Sequence, residues 1–495
     1  MRELFFAIIA AWALLFVYAL GLVVYRKAFH PLAQYPGPWL WSVSRVPWVY
    51  HQVSGNLAKA ILKIHNQYGE VVRTSPDEIS FITPSAWRDI YGPGRTEFFK
   101  KDMKVYPRMV ENVDSILTAD NANHPRHRKL LNYAFSERAL RAQEPLFQKY
   151  VDQLIHKLRD SIGTESSVDL VKWYNWTTFD IIGHLGFGEP FGCLESKDYH
   201  PWVAMIIEHI KGGAYLSASK RYSFLIPIMR RLIPKELIAK RNAQLALTKE
   251  KVARRVATDS SDADFLSFIL KENNEKGLNR AELEVDASIL IIAGSETTAT
   301  TMSGTTYYLL KYPETLKRLK AEIRSVFVSE EDINFLSVQE LRYMNACIKE
   351  GLRLFPPIPT GLARILEDRP GGEYVSGCFI PDRTRVSVSQ YSAYRSPLNF
   401  KDPDSFRPER WLGDPDYAAD KRDAVQSFSI GPRNCIGVTM GWAEMRLMLA
   451  RVVWNFDLEL LDDGFNPEQQ DVYNFWQKPA LNVRLSDASK SRRKA

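Results

Sequence analysis

Cysteine is scarce: four residues in 495, at positions 193, 347, 378 and 435, none in a CxxC pair. This excludes a disulfide framework and a structural zinc site, and fits a soluble part held in reducing cytosol. Long apolar runs are equally sparse. Past Tyr25 no stretch reaches roughly 18 uncharged apolar residues, which excludes a second membrane crossing. Internal repeats and low-complexity linkers are missing between residues 50 and 485, which argues against a solenoid or a string of modules. An acidic excess is also lacking: 65 Lys and Arg against 58 Asp and Glu leave a net charge of +7, compatible with an anionic membrane surface or an acidic protein partner. No nucleic-acid-binding motif accompanies that charge, so nucleic acid is not an expected partner. With 45% of residues hydrophobic and 25% charged, wholesale disorder is excluded as well.

What is there begins with Leu4–Tyr25, an uncharged apolar run that spans about 33 Å as a helix, enough to cross a bilayer core. It is too long for the apolar region of a cleaved signal peptide, about 7 to 15 residues. Arg26 and Lys27 follow it while only Arg2 and Glu3 precede it, so the positive-inside rule places the remainder in the cytosol. Pro31, Pro36 and Pro38 around Gly37 then read as a hinge. The expected organisation is an anchor with flanks over 1–27, a Pro-rich hinge over 28–49, one catalytic domain over 50–485 and a basic tail over 486–495.

Within that domain, β-branched and aromatic residues from Val71 to Thr83, broken by Ser75-Pro76-Asp77, predict a hairpin. From about Ser136 to Leu270 the apolar spacing is helical, and Arg280–Tyr312 forms the longest helical stretch, ending before Pro313. Asn175-Trp176-Thr177 matches the glycosylation pattern, but its apolar setting predicts a buried helix. Ser337-Val338-Gln339-Glu340 matches a capping box opening a helix toward Leu354, which Pro356-Pro357 stops. A short strand is expected over Arg385–Ser389 and a last helix after Cys435. The result is a mainly α fold with small β-sheets, preceded by a single transmembrane helix.

Three of the cysteines read as small buried hydrophobes. Cys435 differs, because it sits in Phe428-Ser429-Ile430-Gly431-Pro432-Arg433-Asn434-Cys435-Ile436-Gly437, an FxxGxRxCxG array. Each fixed residue has a task if a thiolate must bind iron. Gly431 and Gly437 let backbone approach a large planar cofactor and allow positive φ. If the last helix starts at Cys435, its dipole and N–H groups favour the anionic sulfur. Arg433 can pair with a carboxylate on the cofactor, and Phe428 can shield the sulfur from water.

This array resembles the haem-binding signature of the cytochrome P450 superfamily, and the resemblance continues in order along the chain. It implies b-type haem with Cys435 as the proximal iron ligand, a triangular mainly helical fold, and activation of O2; thiolate ligation favours O–O cleavage. Ala293-Gly294-Ser295-Glu296-Thr297-Thr298 is similar to the family's oxygen-activation motif, with Glu296 and Thr297 as the implied proton relay and Gly294 relieving crowding above the haem. Glu350-Gly351-Leu352-Arg353 with Arg410 in Phe406–Trp411 resembles the family's buried structural triad, Trp411 standing where Phe is frequent. His124, where the family often has Trp, and Arg128, Arg364 and Arg433 are the implied contacts to the haem propionates.

The resemblance further implies a pocket lined by Val110–Leu117, Ala204–Phe224, Ile289–Ala293, Ile358–Leu362 and Tyr473–Trp476, with Ala204–Leu232 as a mobile lid around Gly212-Gly213. Such a lining suits a hydrophobic small-molecule substrate. The wording HxxxRKLLxxAFS and FRPERW looks like filamentous-fungal members acting in secondary metabolism. Implied partners are O2 and an NADPH-cytochrome P450 reductase, at the endoplasmic reticulum membrane with the catalytic domain cytosolic. Two alternatives stay open: a haem-thiolate isomerase or dehydratase that needs no external electrons, and a non-catalytic haem-binding membrane protein.

Overall fold

The structure is a computed structural model describing residues 2–106, 108–222, 235–258, 263–273 and 277–488, with the backbone alone described at 205–210, 235–238, 240, 241 and 244. The basic tail Lys490–Lys494 and the 223–232 part of the expected lid lie outside the described residues.

Helix α1, Arg2–Val24, is apolar on every side and has no buried residue, which is compatible with a membrane anchor. It runs on through a wider turn at Tyr25–Phe29. The Pro-rich stretch behind it is bonded to the domain: Arg26 donates to the Val43 carbonyl (2.6 Å), Arg73 donates to the Arg26 carbonyl (2.8 Å), and the Arg73 amide donates to the Pro36 carbonyl (2.7 Å). Leu32 within it is fully buried.

Ten strands are described. The main sheet orders β1 (Val71–Ser75), β2 (Glu78–Phe81), β8 (Arg385–Val388), β5 (Arg364–Leu366) and β3 (Phe99–Lys101) side by side. β1 and β2 are the hairpin expected around Ser75-Pro76-Asp77, and β8 is the expected short strand. β4 (Val168–Asp169), β10 (Asn482–Asp487) and β9 (Phe456–Leu460) form a second sheet, and β6 (Glu373–Val375) pairs with β7 (Cys378–Ile380).

The helices that position the site are α2 (His124–Ala134), α3 (Glu137–Ser161), α4 (Leu170–Phe187), α5 (Arg280–Lys311), α6 (Arg342–Leu354) and α7 (Val438–Asn455). Nearly all of α4 is buried, Asn175 included, so the glycosylation pattern is internal. Asn279 and Glu282 close a capping box at the start of α5, each side chain accepting the other's backbone N–H (3.0 and 2.9 Å). Lys311 ends that helix, and Pro313 opens the next one, where its missing N–H costs nothing.

One expectation about a helix start fails, and the last helix follows Cys435 without including it. Ser337–Glu340 is a short 3-10 turn, and α6 starts at Arg342 without a side-chain cap. The Ser337 hydroxyl donates instead to the Asp332 carbonyl (2.7 Å), so a local turn took the group the capping box needed. The last helix begins at Val438, not Cys435. Gly212-Gly213, expected in a mobile lid, lie within the helix Pro201–Ser219.

Candidate active site

The approach to α7 is a tight loop. Ser429 (φ 58°) and Gly431 (φ 75°) both take left-handed backbone, and a Cβ at Gly431 would stand 2.0 Å from the Tyr91 carbonyl oxygen, so only glycine fits there. Gly437 has φ −88°, and a Cβ there would meet Phe135 at an ordinary contact distance of 3.5 Å, so positive φ is required at 431 and not at 437. The Cys435 amide donates to the Phe428 carbonyl (2.9 Å), closing the loop on itself. Arg128 of α2 clamps it from outside, donating to the Asn434 carbonyl (2.6 Å) and the Asn434 side chain (2.9 Å), while its Nε donates to Asn132 (3.0 Å). Arg128 is thereby engaged on the cysteine loop.

Cys435 is exposed, but toward an interior cavity; protein atoms surround it on its other sides. Burial pushes its thiol pKa up, opposed by the Gly437 amide directed at the sulfur and by the charge of Arg128. The donor that the dipole argument assigned to a helix beginning at Cys435 is thus a single turn amide just before the helix.

The cavity holds about 1520 Å³ of free space, part of it continuous with solvent. One wall carries a crowd of cations. Lys101 on β3 and Arg364 on β5 are direct cross-strand partners, an arrangement that is repulsive by itself. Arg433 and His124 join them at the same wall. Burial first, then Arg433, Lys101 and Arg128, push the His124 pKa down to about 3, so this imidazole is neutral. Burial and the neighbouring arginines hold Lys101 well below its usual value, and burial with Arg364 brings Arg433 down to about 10. Arg433 donates one N–H to Asn121 (2.9 Å), and Lys101 donates to the Leu117 carbonyl (2.7 Å). Nη1 of Arg433 and both Nε and Nη1 of Arg364 are buried without a protein partner. Orphaned guanidinium donors in a buried cationic cluster are stabilised by an incoming anion. A planar cofactor bearing two carboxylates at one edge and presenting a metal to the Cys435 sulfur fits this donor set.

On the α5 side the wall is Ile289, Leu290, Ala293, Gly294, Thr297, Thr298 and Thr301. Thr297 faces the cavity with its hydroxyl donating to the Ala293 carbonyl (2.7 Å). Glu296 points away, as the next residue on a helix must: it is buried, ion-paired with Lys478, and accepts from Thr300 (3.2 Å). The two members of the expected relay are adjacent in sequence, but only Thr297 reaches the cavity. Gly294 does line the cavity, yet the crowding it relieves is on its other side, where a Cβ would lie 2.7 Å from Ile182 of α4. Glu444 of α7 also borders the cavity; burial pushes its carboxyl up to about 8, against a hydrogen bond from Thr298.

Beneath the cysteine loop, Glu350, Arg353 and Arg410 meet with no solvent exposure at all. Arg353 donates two parallel bonds to Glu350 (2.9 and 2.8 Å), and Arg410 donates a third (3.0 Å). The Arg407 amide and the Trp411 indole N–H also donate to the same carboxylate (both 2.9 Å), and Arg410 pairs with buried Asp420. Burial raises the Glu350 pKa, but Arg353 and Arg410 outweigh it and hold the group below its usual value. Trp411 does what Phe could not, supplying a donor.

The model of the family described as Cytochrome P450 matches residues 35–482. The chain belongs to the cytochrome P450 family. It is 42% identical over 486 residues to a protein named cytochrome P450 monooxygenase astA from Talaromyces wortmannii, covering 98% of this chain and 97% of that one. An averantin hydroxylase of Dothistroma septosporum is 41% identical, with 96% of this chain and 91% of the relative covered. A trichothecene C-15 hydroxylase of Fusarium sporotrichioides is 42% identical, with 94% and 96% covered. The crystal structure of the cytochrome P450DA heme domain superposes with a TM-score of 0.74 at 18% identity, covering 89% of this chain and 95% of that one, a likeness of fold.

Of the P450 pocket segments expected from sequence, Ile116, Leu117, Ile289, Leu290, Ala293, Ile358 and Leu362 line the cavity, as do Phe428, Gly431's neighbours Ser429 and Arg433, and Gly437. Tyr473–Trp476 packs behind the wall: Trp476 stacks on Phe355 (4.3 Å between ring centroids) and donates to the Pro356 carbonyl (2.7 Å). Sequence reasoning missed Lys101, Asn121, Glu444 and Lys478. Each acquires its role from a residue far away in the chain, and no local pattern marks it.

Proposed function

We propose that this cytochrome P450 is a membrane-anchored monooxygenase that inserts one oxygen atom from O2 into a hydrophobic small molecule of fungal secondary metabolism. The observation that carries this reading is Cys435 facing an otherwise apolar-walled cavity across from a cationic cluster with unpaired donors. Haem, when bound there, supplies the iron at which dioxygen is activated. Arg364, Arg433, Lys101 and neutral His124 hold its carboxylate edge, while the Gly437 amide and Arg128 favour the sulfur anion. Arg128, which also lines the cavity, tightens the loop through Asn434. Thr297 handles the proton at its Oγ1, while Glu296, paired with Lys478, stays behind the cavity wall. The apolar faces of Ile116, Leu117, Ile289, Ile358 and Leu362 exclude water and accept an apolar substrate.

The α1 helix supports a single-pass anchor at the endoplasmic reticulum membrane, with electrons delivered by an NADPH-cytochrome P450 reductase docking on the basic cytosolic domain. The relatives' names, monooxygenase and hydroxylase, support oxidation as the reaction class. The test is the absorption spectrum of the reduced, carbon monoxide-bound protein. A thiolate-type band in the wild type that disappears in Cys435→Ala is expected; the same histidine-type band in both proteins overturns the assignment. Product formation that needs neither NADPH nor reductase would point to an isomerase or dehydratase instead.

A further inference from the structure

Asp286 lies on α5 one turn before the cavity wall and is almost wholly buried. Its neighbours are apolar, among them Leu131, Phe265, Leu266 and Ile269. Packing alone favours a hydrophobic side chain at such a place, because a buried carboxylate is costly unless both its oxygens are matched. Both are. Oδ1 accepts from the Ile116 backbone N–H (2.7 Å), and Oδ2 accepts from Nδ1 of His127 (2.7 Å), itself fully buried. On the other side of that ring, Nε2 of His127 lies 3.6 Å from Glu282, which Arg126 grips with two further bonds (2.9 and 2.6 Å).

The two partners of this one carboxylate, together with the helix that carries it, belong to three walls of the cavity. Ile116 and Leu117 form the wall contributed by a segment with no regular helix or strand, shaped by a turn in which the Ala119 amide donates to the Ser115 carbonyl (2.7 Å) and the Ser115 amide to the Thr118 hydroxyl (3.0 Å). His127 stands on α2 between His124 and Arg128, which line the cavity. Asp286 itself precedes Ile289 on α5. Lys101 reaches the next carbonyl of the segment, Leu117, from the cationic cluster. The segment is thus held by the Asp286 carboxyl at Ile116 and by the Lys101 amine at Leu117.

We propose that Asp286 is a specificity-determining positioning residue: by fixing the Ile116 backbone against α2 and α5 it sets how far the Ile116–Leu117 wall stands off the reaction centre, and so the bulk of the substrate admitted. The proposal rests on the reading of the cavity as the substrate chamber of a haem enzyme. Losing one charge-assisted hydrogen bond at the wall corresponds to about a tenfold change in affinity for a ligand that must lie against it. A ligand confined to the iron does not feel it.

The test uses the holoenzyme and two iron-binding nitrogen ligands, imidazole and 1-tritylimidazole, whose three phenyl rings must lie under the wall. In Asp286→Ala the dissociation constant of the trityl compound, read from the difference spectrum, is expected to change about tenfold while that of imidazole stays within about twofold. Asp286→Glu is expected to restore most of the difference. An unchanged ratio between the two ligands, or an equal change in both, overturns the proposal. Should the alanine variant fail to fold, amide hydrogen exchange of the wild-type holoenzyme decides: Ile116 exchanging as slowly as helical amides supports the clamp, and Ile116 exchanging as fast as exposed Glu111 and Asn112 overturns it. A wild type that gives no spectral change with imidazole would defeat the haem-thiolate reading, and the exchange measurement would still judge the clamp.

Discussion

Two buried clusters in this protein are each built around a pair of arginines and do opposite things. Around Glu350, two arginines meet two carboxylates, and every guanidinium nitrogen of Arg353 and Arg410 finds an oxygen. Around Arg364, cations outnumber anions, two of them face one another across a strand pair, and guanidinium donors stay unpaired. A cluster whose charges cancel within the chain is scaffold, since nothing outside it is needed. A cluster that needs an anion from outside is a site. Burial and arginine content do not separate the two; the balance of donors and acceptors does.

The comparison breaks most violently at Glu350. Glu350→Ala strands two buried guanidinium groups and is expected to cost about 3 to 5 kcal/mol, seen as a lost or strongly shifted urea transition. Arg364→Met is the counterpart. It relieves repulsion with Lys101, so the urea transition is expected to move by under about 1 kcal/mol, whereas haem passes to an acceptor protein about tenfold faster. Equal destabilisation by both variants would erase the distinction.

Glu444 sharpens it through pH. Its carboxyl is raised to about 8 in the folded chain, so between the unfolded value and that point the folded form holds a proton the unfolded form lacks. Its neutral state therefore stabilises the fold at low pH, and that contribution falls as pH rises toward about 8. Glu444→Gln is expected to flatten this slope of melting temperature between about pH 5 and 8; an unaltered slope rules the group out. Smallest is Trp411→Phe, which removes one donor to Glu350 and is expected to cost about 1 kcal/mol in the urea transition.

What could be read in the sequence is what neighbouring residues decide among themselves. The Ser75-Pro76-Asp77 turn, the span of α5 before Pro313 and the cysteine loop with its Gly431 all follow from local backbone chemistry. The Ser337 capping box failed because the Asp332 carbonyl competed for the hydroxyl, whereas the last helix follows Cys435 as expected. Glu296 and Thr297 were legible as a pair, but their facing was not: helix geometry turns them apart, and Lys478, near the other end of the chain, claims the acid. Lys101 gains its meaning only when β3 lies against β5. Gly294 is expected from sequence to relieve crowding above the haem, but its crowding partner is Ile182 of another helix.

The carbonyl of Arg26 rests on the guanidinium of Arg73, whose own strand sits in the main sheet. The stalk of this enzyme is therefore joined to its body like a keel to a hull. The bearing of that helix is thus referred to the main sheet across a direct bond, and is not left to a free swivel at Arg26.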